Sequence, residues 1–124
     1  MFLNQEIPDY QYVLRAADGR SARVNDRVLA ASFFLAPSAL VEDWPVASVA
    51  ALSPAALEPL LALEPDVVLL GTGATQVFPP PAVLAACLTR GVGIEVMDNP
   101  AAARTYNVLA SEGRKVVAAF ILPG

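Results

Sequence analysis

The sequence predicts an α/β fold: an antiparallel layer of strands in the first third, then a parallel strand–helix–strand–helix–strand unit. Three observations carry that prediction. Side chains over residues 10–15 alternate with a period of two, and the turn dipeptide Asp18-Gly19 follows them. From Asp66 onward, apolar runs without alternation are interleaved with segments of helical spacing. The chain has 124 residues, 56% hydrophobic and 16% charged, which suits one domain spanning 1–124 and excludes a disordered chain.

Each element has a local reason. Tyr10, Tyr12 and Leu14 share one face of a first strand, with Gln11, Val13 and Arg15 on the other. Asp18-Gly19 turns the chain because both residues tolerate positive φ, residues 20–24 return, and Asn25-Asp26 turns it again. A longer strand over 27–35 then places Phe33 and Phe34 on opposite faces, so both faces are expected to be covered, and Pro37 ends it. Over 37–52, Val41, Trp44 and Val46 anchor a short irregular strand, and Pro45 interrupts any helix. Trp44 reads as a lid on the core rather than a platform for a ligand. Ser53 caps a helix with Pro54 in its first turn; Leu57, Leu60 and Leu61 share its inner face, and Pro59 shortens or kinks it.

Residues 66–70 read as a strand buried on both faces, followed at once by Gly71-Thr72-Gly73. A helix over 81–90 groups Val83, Leu84, Cys87 and Leu88 on one face and stops at Gly91. Residues 92–97 form a second central strand. Asp98 or Asn99 caps the last helix, with Pro100 at its start and Ala102, Ala103, Tyr106, Leu109 and Ala110 facing inward until Gly113. Residues 115–122 make the final strand. Helical crossovers favour parallel pairing, so the strands beginning at 66, 92 and 115 are expected side by side in one direction.

Composition narrows the chemistry. Eight Lys and Arg against 12 Asp and Glu give a formal charge of −4, the wrong balance for a nucleic-acid binder. With no His and one Cys, the chain by itself supplies no zinc site, Ser–His pair, disulfide or iron–sulfur cluster. Neither metal nor cofactor is expected. The apolar runs at 67–70 and 116–122 are far short of the roughly 20 residues of a membrane helix, so no membrane insertion is expected. The opening MFLNQEIPDY lacks the charged and apolar regions of a signal peptide, and the lone cysteine suits a reducing compartment. The expectation is a cytoplasmic protein.

If the three later strands are parallel, their C-terminal ends share one rim with the starts of two helices. Gly71, Thr72, Gly73 and Thr75 would then face Asp98 and Asn99 across a crevice, the usual ligand position in open α/β sheets. The competing reading is structural: the glycines permit a tight strand exit and Asp98 caps a helix. A dinucleotide site is disfavoured, because Gln76 stands where the fingerprint needs its third glycine and the helix starts late, after three prolines. Glu95 lies mid-strand. Buried there it requires a partner, with Arg104 and Arg114 nearest in sequence, or it serves as a base in a pocket. Arg104, Asn107 and Ser111 share a polar helix face, and Arg104 is placed to reach the crevice near Asp98. Arg114 and Lys115 complement the dipole at the helix end. Cys87 packs in the core.

Gly71-Thr72-Gly73 after an apolar strand, then Thr105-Tyr106-Asn107 and Glu112-Gly113-Arg114 at fixed separation, form a pattern that resembles the Mth-type domain family of unknown function. The resemblance covers nearly the whole chain, Trp44 included. The family usually has Thr at the position of Asn99. It includes a mitochondrial respiratory complex I assembly factor and an adipogenesis-associated Mth-domain protein. The resemblance implies a three-layer fold around a mixed central sheet, with no established catalytic activity and no known cofactor. It also implies partners that are other proteins, since the mitochondrial relative binds assembly proteins and immature complex I.

Together with the lack of a nucleophile–base pair, this favours a non-catalytic protein-binding domain of assembly- or maturation-factor type. The alternative is a small-molecule-binding domain or enzyme using a pocket of Gly71, Thr72, Gly73, Thr75, Glu95, Asp98, Asn99 and Arg104.

Overall fold

Two sheets organise residues 10–124, which are the residues described by the computed structural model. The signal-peptide reading of the chain start falls on residues 1–9 and lies outside them. A three-stranded antiparallel sheet contains β1 (Leu14–Ala17), β2 (Ala22–Val24) and β3 (Arg27–Leu29). A five-stranded mixed sheet contains β4 (Ala31–Ala36), β5 (Ala39–Val41), β6 (Val67–Gly71), β7 (Gly93–Met97) and β8 (Val116–Pro123), in the order β5-β4-β8-β6-β7. The helices are α1 (Pro54–Leu61), α2 (Pro81–Leu88) and α3 (Asn99–Ser111).

The parallel unit forms as its crossovers dictate: β6 pairs in parallel with β7 on one side and β8 on the other. The β8 strand also pairs antiparallel with β4, which joins the two halves of the sheet. This central place explains why β8 is apolar throughout and buried from Val116 to Leu122.

Both faces of the sheet are covered, which makes three layers. On one face Phe33, Leu35, Leu69, Ala118 and Phe120 pack with Ala102, Ala103 and Tyr106 of α3 and with Leu14, Val24 and Leu29 of the small sheet. The rings of Phe33 and Phe120 stack at 5.0 Å. On the other face Phe34, Val68, Leu70, Val117 and Ala119 pack with Leu57, Leu60 and Leu61 of α1, Val83 and Cys87 of α2, and Trp44. Each such large side chain contributes about 1.5–3 kcal/mol by leaving water. Trp44 meets Phe34 edge-on and donates its indole N–H to Ala56 O at 2.9 Å.

Several elements depart from expectation. The first ladder begins at Leu14 rather than Tyr10, because Gln11 N and Tyr12 N instead donate to Pro37 O outside the sheet. Gly19 lies in the β1–β2 turn without positive φ. A Cβ there would come within 2.8 Å of Ala74, so close approach is what requires the glycine. The long strand over 27–35 is broken at Ala30, and its halves belong to different sheets. Just beyond the break Ser32 interrupts the β4–β8 register, and its buried hydroxyl donates to Leu122 O while accepting from Leu122 N. Ser53 precedes α1 without a side-chain cap, whereas Asp98 accepts from Ala101 N at 2.8 Å. Leu88 is exposed at the end of α2 instead of facing the core.

The strand β7 is an edge strand, not a central one. The last strand, β8, pairs on the far side of β6 rather than beyond β7, so among the described residues β7 has a single neighbour and Glu95 is exposed. Among the described residues no helix is long and apolar enough to cross a membrane.

Candidate functional site

The topology brings the ends of β6 and β7 and the start of α3 to one rim. Five of the eight candidate residues meet there: Gly71, Thr72, Gly73, Asp98 and Asn99. Thr72 N donates to Met97 O at 3.0 Å, and Asn99 N donates to Gly73 O at 2.8 Å. In return Gly73 N donates to Asn99 Oδ1 at 3.0 Å. The side-chain amide of Asn99 reaches further, donating to Asp18 O at 2.9 Å and Ile121 O at 3.2 Å.

This arrangement fills the rim rather than opening it. Asn99 is fully buried, and Thr72 is 7% exposed. The Thr72 hydroxyl donates to Thr75 O at 2.7 Å and accepts from Val77 N at 3.0 Å, which folds the loop back on itself. Gly71 leaves the space that Asn99 occupies: a Cβ at Gly71 would collide with Asn99 Oδ1 and press on Ala119 O and the Phe120 ring. Among the described residues no buried side-chain nitrogen or oxygen lacks a hydrogen-bond partner. The polar groups gathered here are therefore committed to one another.

The other three candidates lie apart. The Thr75 side chain is exposed on the loop and contributes its carbonyl to Thr72. Glu95 takes part in no ion pair among the described residues, because an edge strand leaves its carboxylate in water; the expected pairing with Arg104 or Arg114 is not formed. Arg104 is exposed on α3 and, with Arg15, Pro100 and Asn107, lines a cavity of about 280 Å³ beside β1. Asn107 faces inward rather than to solvent. Its amide oxygen accepts from Leu14 N at 3.1 Å and its nitrogen donates to Leu14 O at 2.7 Å, so it holds the edge of β1 to α3.

Nearby, the hydroxyl of buried Tyr106 donates to Tyr12 O at 2.7 Å, and burial pushes its pKa above the usual phenol range, with Tyr10 adding a smaller push in the same direction. Gln76 donates from its side chain to Val96 O at 2.8 Å. Among the described residues no three potential metal ligands cluster. A larger cavity lies at the opposite end of the parallel strands. Its walls come from separate segments, so no local sequence signal marks it.

Residues 14–121 match the family model described as a protein of unknown function (DUF498/DUF598). The chain belongs to this family. The NADH dehydrogenase [ubiquinone] 1 alpha subcomplex assembly factor 3 of Danio rerio is 34% identical over 113 residues, 90% of this chain and 64% of that protein. The chain thus spans just under two thirds of that relative. A solution structure of a Xanthomonas campestris protein is 63% identical, with a TM-score of 0.85 over 100% of this chain and 94% of the other. A Mth938-like domain from Bordetella pertussis is 31% identical, with a TM-score of 0.83 over 100% of this chain and 94% of that one. The three-layer α/β architecture of the DUF498/DUF598 chain is therefore that of the Mth-type domains it resembles.

Proposed function

We propose that this chain is a non-catalytic protein-binding domain, an assembly or maturation factor that holds another protein before it reaches its final complex. The closed rim carries the reading. Where open α/β sheets usually keep a ligand, Asn99 and Gly73 bond each other, and Thr72 spends its polar groups on Thr75, Val77 and Met97.

Beside the filled rim the loop turns apolar side chains outward: Val77 is 44% exposed and Phe78 is 68% exposed. Adjacent exposed apolar residues beside a closed crevice suit contact with a protein surface. The name of the Danio rerio relative, an assembly factor of respiratory NADH dehydrogenase, points the same way. The natural partner class is an unassembled subunit, or a companion assembly protein, of a respiratory NADH dehydrogenase. The reading also carries a reducing compartment such as the cytoplasm, where Cys87 stays a thiol.

An affinity pull-down from the native host tests it, comparing the unaltered chain with Phe78→Ser and Asp98→Ala. Recovery of such a subunit or assembly protein, lost with Phe78→Ser and kept with Asp98→Ala, is the expected result. Equal recovery with Phe78→Ser would reject the loop as the docking face. Recovery of no such protein with the unaltered chain would reject the proposed partner class.

A further inference from the structure

The cavity at the other pole of the sheet has a different character. It is an open hollow of about 550 Å³, within the roughly 300–1,000 Å³ common for small-molecule sites. Leu63 and Pro65 after α1, Pro37 between β4 and β5, and Val117 of β8 give it a largely apolar wall. Arg114 and Lys115 also line it, both exposed.

The distribution of charge is what singles it out. Ion pairs among the described residues engage Arg23, Arg27 and Arg90, and none of these lines the cavity. Arg114 and Lys115 enter no such pair. Glu64, Asp66 and Glu112 neighbour the lining residues in sequence, yet no carboxylate side chain is part of the lining. The charged side chains that do line it, Arg114 and Lys115, follow the C-terminal end of α3 and are both cations. In a chain of formal charge −4, this is a largely apolar hollow whose charged lining side chains are both cations.

We infer that this cavity binds an organic anion with an apolar body, of the medium-chain carboxylate class. The hydrocarbon part lies against Leu63, Pro65 and Val117, and the carboxylate is held by the Arg114 guanidinium, whose fork matches its two oxygens, and by Lys115. Because both cations are exposed, they set orientation and selectivity for an anion, while affinity comes chiefly from the apolar wall.

The test is an amide-resolved NMR titration of the full chain with octanoate, octylamine and acetate. Octanoate is expected to give saturable shifts at Leu63, Val116 and Val117; octylamine, whose charge the two cations repel, binds at least about tenfold more weakly, and acetate, without a tail, gives none. The double variant Arg114→Gln/Lys115→Gln, altered at exposed positions, is expected to keep its other resonances and bind octanoate about tenfold more weakly. Absence of saturable shifts with octanoate, equal binding of octylamine, or unchanged octanoate affinity in the double variant would each overturn the assignment. These outcomes are independent of the pull-down, which depends on Phe78 at the opposite rim.

Discussion

Asn99 and Gly73 hold each other by two backbone-directed bonds: Gly73 N donates to the Asn99 side-chain oxygen at 3.0 Å, and Asn99 N donates to Gly73 O at 2.8 Å. The remaining amide group of Asn99 ties the β1–β2 turn, through Asp18 O, to β8, through Ile121 O. One buried side chain thus joins three separate stretches of chain.

Asn99→Ala is expected to cost about 3 kcal/mol, since it strips partners from buried backbone groups that water cannot easily reach. Asn99→Thr should fall between the two, because one hydroxyl replaces only part of the set. Urea unfolding monitored by Trp44 fluorescence measures both; equal midpoints for Asn99→Ala and the unaltered chain would contradict the joint.

Gly71→Ala should destabilise by about 1–3 kcal/mol, as expected for forcing a methyl into a packed site. The nearest atom is Asn99 Oδ1, followed by Ala119 O and Phe120 Cδ2, each at 3.2 Å. In an Asn99→Ala background the penalty should shrink, and a double-mutant cycle in urea reads that coupling. Additive effects would show that Asn99 is not the obstacle.

What the sequence made legible was local. The Asp98 cap, Pro100 in the first turn of α3, the stop at Gly113 and the doubly buried run of β6 each depend on neighbours within a few residues. The parallel pairing follows from helical crossovers and is equally readable. What escaped depends on distant contacts. Nothing near Ala30 announces that the chain changes sheets there, and the edge position of β7 follows from β8 inserting beside β6. Asn99 read as one more rim residue because its partners Asp18 and Ile121 lie 81 and 22 positions away. Glu95 reads as a partnered charge on a central strand; the edge that leaves it in water instead is set by the distant β8.

Asp18 makes part of the stability acid-sensitive. Its carboxylate accepts the Arg20 N–H at 2.7 Å and the Ser21 N–H at 2.9 Å, which hold its pKa below the ordinary carboxylate value. A pKa lowered by folding adds stability that is complete above the unfolded value of about 3.9 and is lost as pH falls through the folded value. The stability difference between the unaltered chain and Asp18→Asn should therefore narrow on acidification from pH 6 to below about pH 4. A constant difference in urea midpoints across that range would contradict it.

Cys87 is fully buried between α2 and the sheet, and desolvation raises its thiol pKa, with Arg90 opposing weakly. The native chain should react with a thiol reagent at pH 8 far more slowly than the urea-unfolded chain, roughly in proportion to the opened population. Comparable rates in both states would show that α2 leaves the sheet readily.

The insertion of β8 between β4 and β6 also fixes when the molecule can be completed during synthesis. Phe33 pairs with Phe120, and Val67 with Val116, so both halves of the sheet await the same late segment. Until residues 116–123 clear the ribosome, β4 and β6 each present an unpaired edge, and the nascent chain is open to strand exchange and clumping.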